Sequence, residues 1–121
     1  MSEREETLII FIDQKILEYE IEHLECFANN NIDRAPMITT NIYTLSTLRE
    51  LLEVKIKVSN NLEKIKNEPS IQPVLLHMQS AILNALNDLD SEPSIVDEDI
   101  LHITRNNFEI LHDYFSHLVV E

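Results

Sequence analysis

Glycine is missing from this sequence, and basic residues are scarce. The 121 residues include no glycine and no tryptophan, and 22 acidic residues stand against 9 basic ones. Glycine is the usual residue where a backbone turns left-handed or lies against a phosphate, so its absence excludes the glycine-rich loops of P-loop and dinucleotide-binding proteins. The nucleophile elbow of α/β-hydrolases is excluded for the same reason. The enzyme classes that depend on these loops are therefore ruled out.

Cysteine is nearly absent as well. The single thiol, Cys26, excludes an internal disulfide, and its place in an apolar-periodic stretch is typical of a buried thiol in a reducing compartment. The first residues are charged and the apolar run 8–12 is short, so we expect neither a signal peptide nor a membrane span. We expect a cytoplasmic, single-domain protein that needs no cofactor or structural metal, because a chain of this length can bury a sufficient core.

The acidic charge is concentrated at the two ends of the sequence. Residues 1–30 carry a net charge of −6, residues 31–69 carry +1 and residues 70–121 carry −8. Such a field repels nucleic acid and anionic membranes, and it accelerates the encounter with a basic protein. We therefore expect no direct nucleic-acid binding and no membrane binding, and a basic protein partner is favoured. The alternative is that the acidity only keeps a small protein soluble.

Hydrophobic periodicity predicts four amphipathic helices over approximately 3–29, 41–66, 71–89 and 95–119. Helices of this length with short connections predict an all-α fold, an antiparallel four-helix bundle. In the first helix, apolar residues at spacings of three and four predict a single core-facing side. The residues of that predicted side are Ile9, Ile12, Ile16, Leu17, Leu24 and Phe27.

Asparagine stands where glycine commonly ends a helix. The first helix is predicted to end at the run 29–31, because asparagine is the next residue able to adopt a left-handed C-cap.

Two segments leave a different fold class open. The run 52–58 alternates apolar and charged residues, which is typical of a half-buried strand, and 7–12 is also strand-like. An α+β fold with short strands at these two places is the alternative prediction.

The predicted third helix is depleted of charge. No residue from Pro69 to Asn87 is formally charged. Charge depletion is typical of interface cores, so the polar side of this helix is a predicted contact surface with a partner or between protomers of an oligomer. A central, well-covered position of the helix would explain the same composition. The candidate interface residues are His77, Ser80, Asn84 and Asn87.

Carboxylates also recur on one face of the predicted first helix, where Glu18, Glu22 and Glu25 follow at spacings of four and three. Arrays of this kind can imitate a phosphate backbone or neutralise a basic protein, with electrostatics supplying speed and selectivity. We predict that these residues face a partner, although a charge run is commonly a solvated face. Together these features predict a protein-binding module, such as a regulatory adaptor, an inhibitor or a subunit of a complex, rather than an enzyme.

An enzymatic alternative comes from residues 105–114, which begin Arg105-Asn106 and end His112-Asp113-Tyr114. This segment resembles the Arg-Asn…His-x-Tyr signature of HEPN-type ribonucleases, small helical proteins often paired with antitoxins. The resemblance implies a ribonuclease or toxin–antitoxin component. Arg105 and His112 would act on the RNA 2′-hydroxyl and the scissile phosphate, and Tyr114 would complete the signature.

A second alternative is a di-metal carboxylate bundle. Two Glu-x-x-His patterns occur, Glu20 with His23 and Glu109 with His112. A spacing of three places both side chains of each pair on one helix face, as in ferritin-like di-iron bundles. The other two helices of such a bundle must each add a carboxylate, and the sequence has no acidic residue from 69 to 87. We therefore predict no metal-ligating, cofactor-binding or catalytic residue.

Overall fold

The computed structural model describes residues 3–91 and 96–119, and its regular elements are all helical. Short 3-10 helices at Ile32–Arg34 and Pro69–Ile71 precede the second and fourth α-helices. The all-α prediction is confirmed for the described residues. The α+β alternative is wrong, because 7–12 and 52–58 both lie inside long helices. The α-helices are α1 (Glu3–Ala28), α2 (Ala35–Asn60), α3 (Leu62–Lys66), α4 (Gln72–Ser91) and α5 (Glu98–Leu118).

Helix α1 ends on asparagine in the left-handed conformation. Asn30 has a φ of 56°, the one positive φ among the described residues. The N–H of Asn31 donates to the Cys26 carbonyl at 2.8 Å, and the N–H of Asn30 donates to the Phe27 carbonyl at 3.4 Å. This is the Schellman pattern, which satisfies carbonyls at the end of a helix. The prediction that asparagine replaces glycine at this C-cap is confirmed.

The predicted helix 41–66 differs from the structure at both ends. Helix α2 begins at Ala35, because Pro36 lies in its first turn, where a missing N–H costs nothing and the fixed φ suits a helix. It ends at Asn60, and the short α3 follows after Asn61, whose φ and ψ of −126° and 27° are not helical. The Asn61 side chain donates to the Lys57 carbonyl at 2.9 Å, and such local bonds compete with helix continuation.

The last two helices lie close to their predicted ranges. Helix α4 spans Gln72–Ser91 against a predicted 71–89, and α5 spans Glu98–Leu118 against a predicted 95–119. The predicted start at residue 95 lies outside the described residues. Within the described ranges, no helix has both the length and the apolar character needed to cross a membrane.

Most of the packing between the long helices is in three pairs: α1 with α2, α4 with α5, and α2 with α5. Side-chain pairs show that α1 runs antiparallel to α2, that α4 runs antiparallel to α5, and that α2 runs parallel to α5. Because α2 and α5 form the middle of this arrangement, α1 and α4 lie at its periphery. The pairs that give these directions are Glu5–Lys55, Asp13–Arg49, Asp90–Arg105, Gln79–Ser116, Asn41–Asp97 and Ser59–Tyr114.

The core lies between α2 and α5 and the inner sides of α1 and α4. Apolar residues at helical spacing on α4 and α5 are buried, from Leu75 in α4 to Phe115 in α5. The predicted core side of α1 is partly wrong, because Leu17, Leu24 and Phe27 are exposed. The fully buried apolar residues are Ile12, Ile38, Leu45, Leu48, Leu75, Ile82, Ile100, Phe108, Leu111 and Phe115.

Candidate protein-binding surface

Helix α1 has two apolar sides. The inner side buries Ile12, Tyr19 and Cys26, which follow one another at intervals of seven residues. The outer side exposes a second apolar series, in which the side chains are between 49% and 70% exposed. We call this series the outer stripe: Ile10, Leu17, Ile21 and Leu24.

The two sides are separated because of the helical repeat. Ile10, Leu17 and Leu24 each precede a buried residue by two positions, which is a rotation of about 200° around the helix axis. A helix at the periphery can be covered on one side only, and α1 packs mainly against α2. Sequence periodicity assigned Leu17 and Leu24 to the core because both series repeat at helical spacing.

The outer stripe is bordered by carboxylates. Glu18 and Glu25 lie beside it on one edge, and Glu20 lies beside it on the other; all three are exposed. Helix α1 as a whole contains eight acidic residues and only two basic ones, Arg4 and Lys15. The surface therefore combines apolar side chains with a strongly negative border.

The three predicted partner-facing glutamates have different environments. Glu18 is exposed and contacts the ammonium of Lys15 at 3.3 Å, and Glu25 is exposed. Glu22 is half-buried, and its two carboxylate oxygens accept hydrogen bonds from Arg34 at 3.0 and 3.3 Å. Glu22 thus stabilises the chain itself, while Glu18 and Glu25 are open to a partner.

A polar cluster around Asp97 anchors the inner side of α1. The Asp97 carboxylate accepts hydrogen bonds from the Tyr19 hydroxyl at 2.8 Å and from the Asn41 side chain at 3.0 Å. It also accepts two from the Arg34 guanidinium, at 3.0 and 3.3 Å. The side-chain Oδ1 of Asn41 in turn accepts a hydrogen bond from the backbone N–H of Asp97 at 3.0 Å. One residue before α5 therefore joins α1, the start of α2 and the segment between them.

The cluster shifts the ionisation of its members in opposite directions. Burial acts to raise the pKa of the Asp97 carboxyl, but the hydrogen bonds from Arg34 and Tyr19 outweigh it and hold this pKa below its usual value. Burial, followed by the hydrogen bond to Asp97, raises the pKa of the Tyr19 hydroxyl. Asp97 is thus ionised and Tyr19 is protonated at neutral pH. Sequence reasoning missed this cluster, because its members are far apart in the chain and carry no common motif.

The candidate interface on α4 lies on an exposed side of that helix. His77, Ser80, Asn84 and Asn87 are all exposed. Two leucines that sequence reasoning left out, Leu76 and Leu83, are exposed on the same helix. Leu76 and Leu83 alternate with Ser80 and Asn87 along the helix at spacings of four, three and four. Apolar and polar side chains therefore alternate on this second surface. The described residues of α4 from Gln72 to Asn87 place no formal charge on it.

A cavity of about 680 Å³ lies between α2 and α4. Asn84 and Asp88 both line it, and Asp88 is the one charged residue among the described lining residues. Small residues on both helices, such as Thr44 and Ala81, leave this space because they are too short to fill it. Asn84 therefore faces this cavity as well as the outer surface.

The residues of the ribonuclease-like segment do not share one side of α5. Arg105 forms an ion pair with Asp90 of α4, and His112 is half-buried. Tyr114 lies on the side of α5 that faces α2, where its hydroxyl is hydrogen-bonded to Ser59 at 2.7 Å and Lys55 lies over its ring at 5.1 Å. The ribonuclease interpretation stays a prediction with no assembled site to support it.

The two Glu-x-x-His pairs do not combine into one cluster of metal-ligating side chains among the described residues. Glu20 and Glu109 are exposed, and His23 packs its ring edge-on against Phe27 with the centroids 5.0 Å apart. In 3–91 and 96–119, no group of three or more histidine, cysteine, aspartate or glutamate side chains is arranged to hold a metal ion. The di-metal alternative thus has no ligand set in the described part of the chain.

The chain was compared with protein families, with curated proteins and with solved structures. None of the three comparisons found a match.

Proposed function

We propose that this chain is a small acidic protein-binding module that acts by protein–protein interaction rather than by catalysis. As an adaptor, an inhibitor or a subunit of a complex, it would present a rigid helical surface, and its four long helices would form an antiparallel four-helix bundle. The observation that carries the proposal is the outer stripe of α1, four large apolar side chains that the described fold leaves exposed. A contiguous exposed apolar surface with a polar border is typical of an interaction site.

The outer stripe offers enough apolar surface to matter for binding. Full burial of one leucine or isoleucine contributes roughly 1.5–3 kcal/mol, so burial of the exposed half of four such side chains yields about 4 kcal/mol. Micromolar affinity corresponds to about 8 kcal/mol. Because association also costs several kcal/mol of lost translational and rotational freedom, the stripe would supply one favourable contribution among several, and the acidic border would add orientation and speed.

The uncharged side of α4 supports a second contact. Because α1 packs mainly against α2 and α4 packs mainly against α5, a module of this shape can contact two surfaces at once, or a partner and another copy of itself. We propose the α4 surface, with His77, Ser80, Asn84 and Asn87, as this secondary interface. The predicted basic partner and the predicted oligomer are both compatible with two separate surfaces.

Site-specific photo-crosslinking in the native source tests the proposal. A photoreactive amino acid in place of Ile21 is expected to crosslink a defined partner protein, because that side chain lies within the outer stripe. The same amino acid in place of Asn106, an exposed polar position of α5, is the matched control. Crosslinks at position 21 no stronger than those at position 106 would contradict the proposed function.

A further inference from the structure

We infer that the partner docks with a basic amphipathic helix that lies along the outer stripe of α1. This inference rests on the proposed protein-binding function and specifies the chemistry of the docking element. It follows from the spacing of the exposed apolar residues and from the sign of the charges beside them.

The spacing of the stripe is that of a helix–helix seam. Ile10, Leu17 and Leu24 repeat every seven residues, and Ile21 falls four and three residues from its neighbours. This repeat keeps a straight row of side chains facing a second helix, into which each side chain can insert as a knob into a hole. The row extends over 14 residue steps, or about 21 Å of helix. A partner helix of four turns would cover it.

The charges beside the stripe determine the sign of the partner. Residues that flank a helix–helix seam meet the flanking residues of the partner helix, where opposite charges attract and like charges repel. On α1 the flanking residues include Glu18, Glu20 and Glu25, all exposed. A complementary helix therefore carries lysine or arginine on both sides of its apolar row.

A second copy of the chain does not satisfy this requirement. Pairing α1 with α1, in either direction, would bring eight acidic and two basic residues against the same set. Like charges along a seam oppose association. Charge complementarity thus selects a basic helix over self-association through the same surface.

Three designed peptides test the inference. Each is a helix of about 20 residues, long enough to form in water with good helix formers. The first has leucine at the seam positions and lysine on both flanks. The second has glutamate on the flanks, and the third has the composition of the first with the leucine positions scrambled. Binding is measured by fluorescence anisotropy with the full chain, and self-association is measured separately by sedimentation.

The lysine peptide is expected to bind, and the glutamate peptide is not. The scrambled peptide is expected to bind at least about tenfold more weakly, because charge alone does not fill the seam. The double substitution L17Q/L24Q is expected to weaken binding of the lysine peptide about tenfold or more. Ile110→Gln is the control, since it changes an exposed apolar residue of α5 that lies on neither proposed surface, and it should leave affinity within about twofold. Circular dichroism verifies that each variant is folded.

Charge variants give an independent result. The double substitution E18Q/E25Q keeps the apolar row and is expected to reduce the association rate of the lysine peptide several-fold at low salt, with the difference shrinking at high salt. Equal binding of the lysine and glutamate peptides would overturn the inferred basic character. Equal binding of the ordered and scrambled peptides would overturn the inferred seam.

Failure of the inference can be distinguished from failure of the proposed function. If position 21 crosslinks a partner but the lysine peptide does not bind, the module binds proteins and the inferred docking element is wrong. A dimer in sedimentation that L17Q/L24Q abolishes would show a second copy on the stripe and would also overturn the inference. The proposed function itself fails when position 21 crosslinks no partner more strongly than position 106, whether or not the lysine peptide binds.

Discussion

Helices α1 and α5 are both long and both contribute to the core, but their outer sides differ. Helix α5 is polar at nearly all of its exposed positions, with Ile110 as the exception. Helix α1 exposes four large apolar residues at seam spacing. The hydrophobic content of α5 is thus almost entirely used by the fold, while that of α1 exceeds what the fold buries. The excess, rather than the total hydrophobicity, marks the candidate binding surface.

The largest effect on the free energy of unfolding is expected on the buried side of α5. Phe108 is 1% exposed, so Phe108→Ala is expected to reduce the free energy of unfolding by about 3–5 kcal/mol, from lost burial and from the space left behind. Urea denaturation measures the change. Ile110→Ala on the exposed side of the same helix is the control and should cost less than about 1 kcal/mol. Similar costs for both variants would show that α5 does not separate its two sides as described.

An intermediate effect on the free energy of unfolding is expected at Asp97, which connects α1 to the start of α5 by hydrogen bonds. Asp97→Asn removes the charge that accepts hydrogen bonds from Tyr19 and Arg34, and it should cost about 2 kcal/mol at neutral pH. The pKa of Asp97 is lowered in the folded state, so the stabilisation is present above the ordinary carboxyl pKa and is lost as pH falls through the folded-state value.

The difference between wild type and Asp97→Asn is therefore expected to be constant near neutrality and to narrow below about pH 4. Unfolding curves across this range measure it. Asp99→Asn, an exposed carboxylate in the first turn of α5, should cost less than about 1 kcal/mol. A pH-independent difference for Asp97→Asn would show that its charge does not stabilise the cluster.

The smallest effect on stability is expected on the outer stripe. Leu24 is 70% exposed, so Leu24→Gln should change the free energy of unfolding by less than about 0.5 kcal/mol. Ile12→Ala on the inner side should cost roughly 2–5 kcal/mol. Both are measured by urea denaturation of the isolated chain. A large loss for Leu24→Gln would mean that the stripe belongs to the fold, and the contrast with α5 would disappear.

Some local features could be predicted from the residues alone. The left-handed Asn30 was predictable because, without glycine, asparagine is the residue that best tolerates this conformation. The start of α2 at Ala35 was not predicted, although proline at position 36 suits a first helical turn. The partners of Asp97 were beyond prediction, because Tyr19, Arg34 and Asn41 reach it from separate segments.

By itself, the sequence determined the helical class, the positions of most helices and the acidic, glycine-free character that excludes phosphate-binding loops. Those properties depend on local propensity and on residue spacing, both of which can be read from a short segment alone. Only the tertiary structure decided which apolar side of α1 faces the core. Ile12, Tyr19 and Cys26 repeat with the same period as Ile10, Leu17 and Leu24, so periodicity cannot rank one series above the other. The choice depends on where α2 and Asp97 lie, and those contacts join residues distant in the chain.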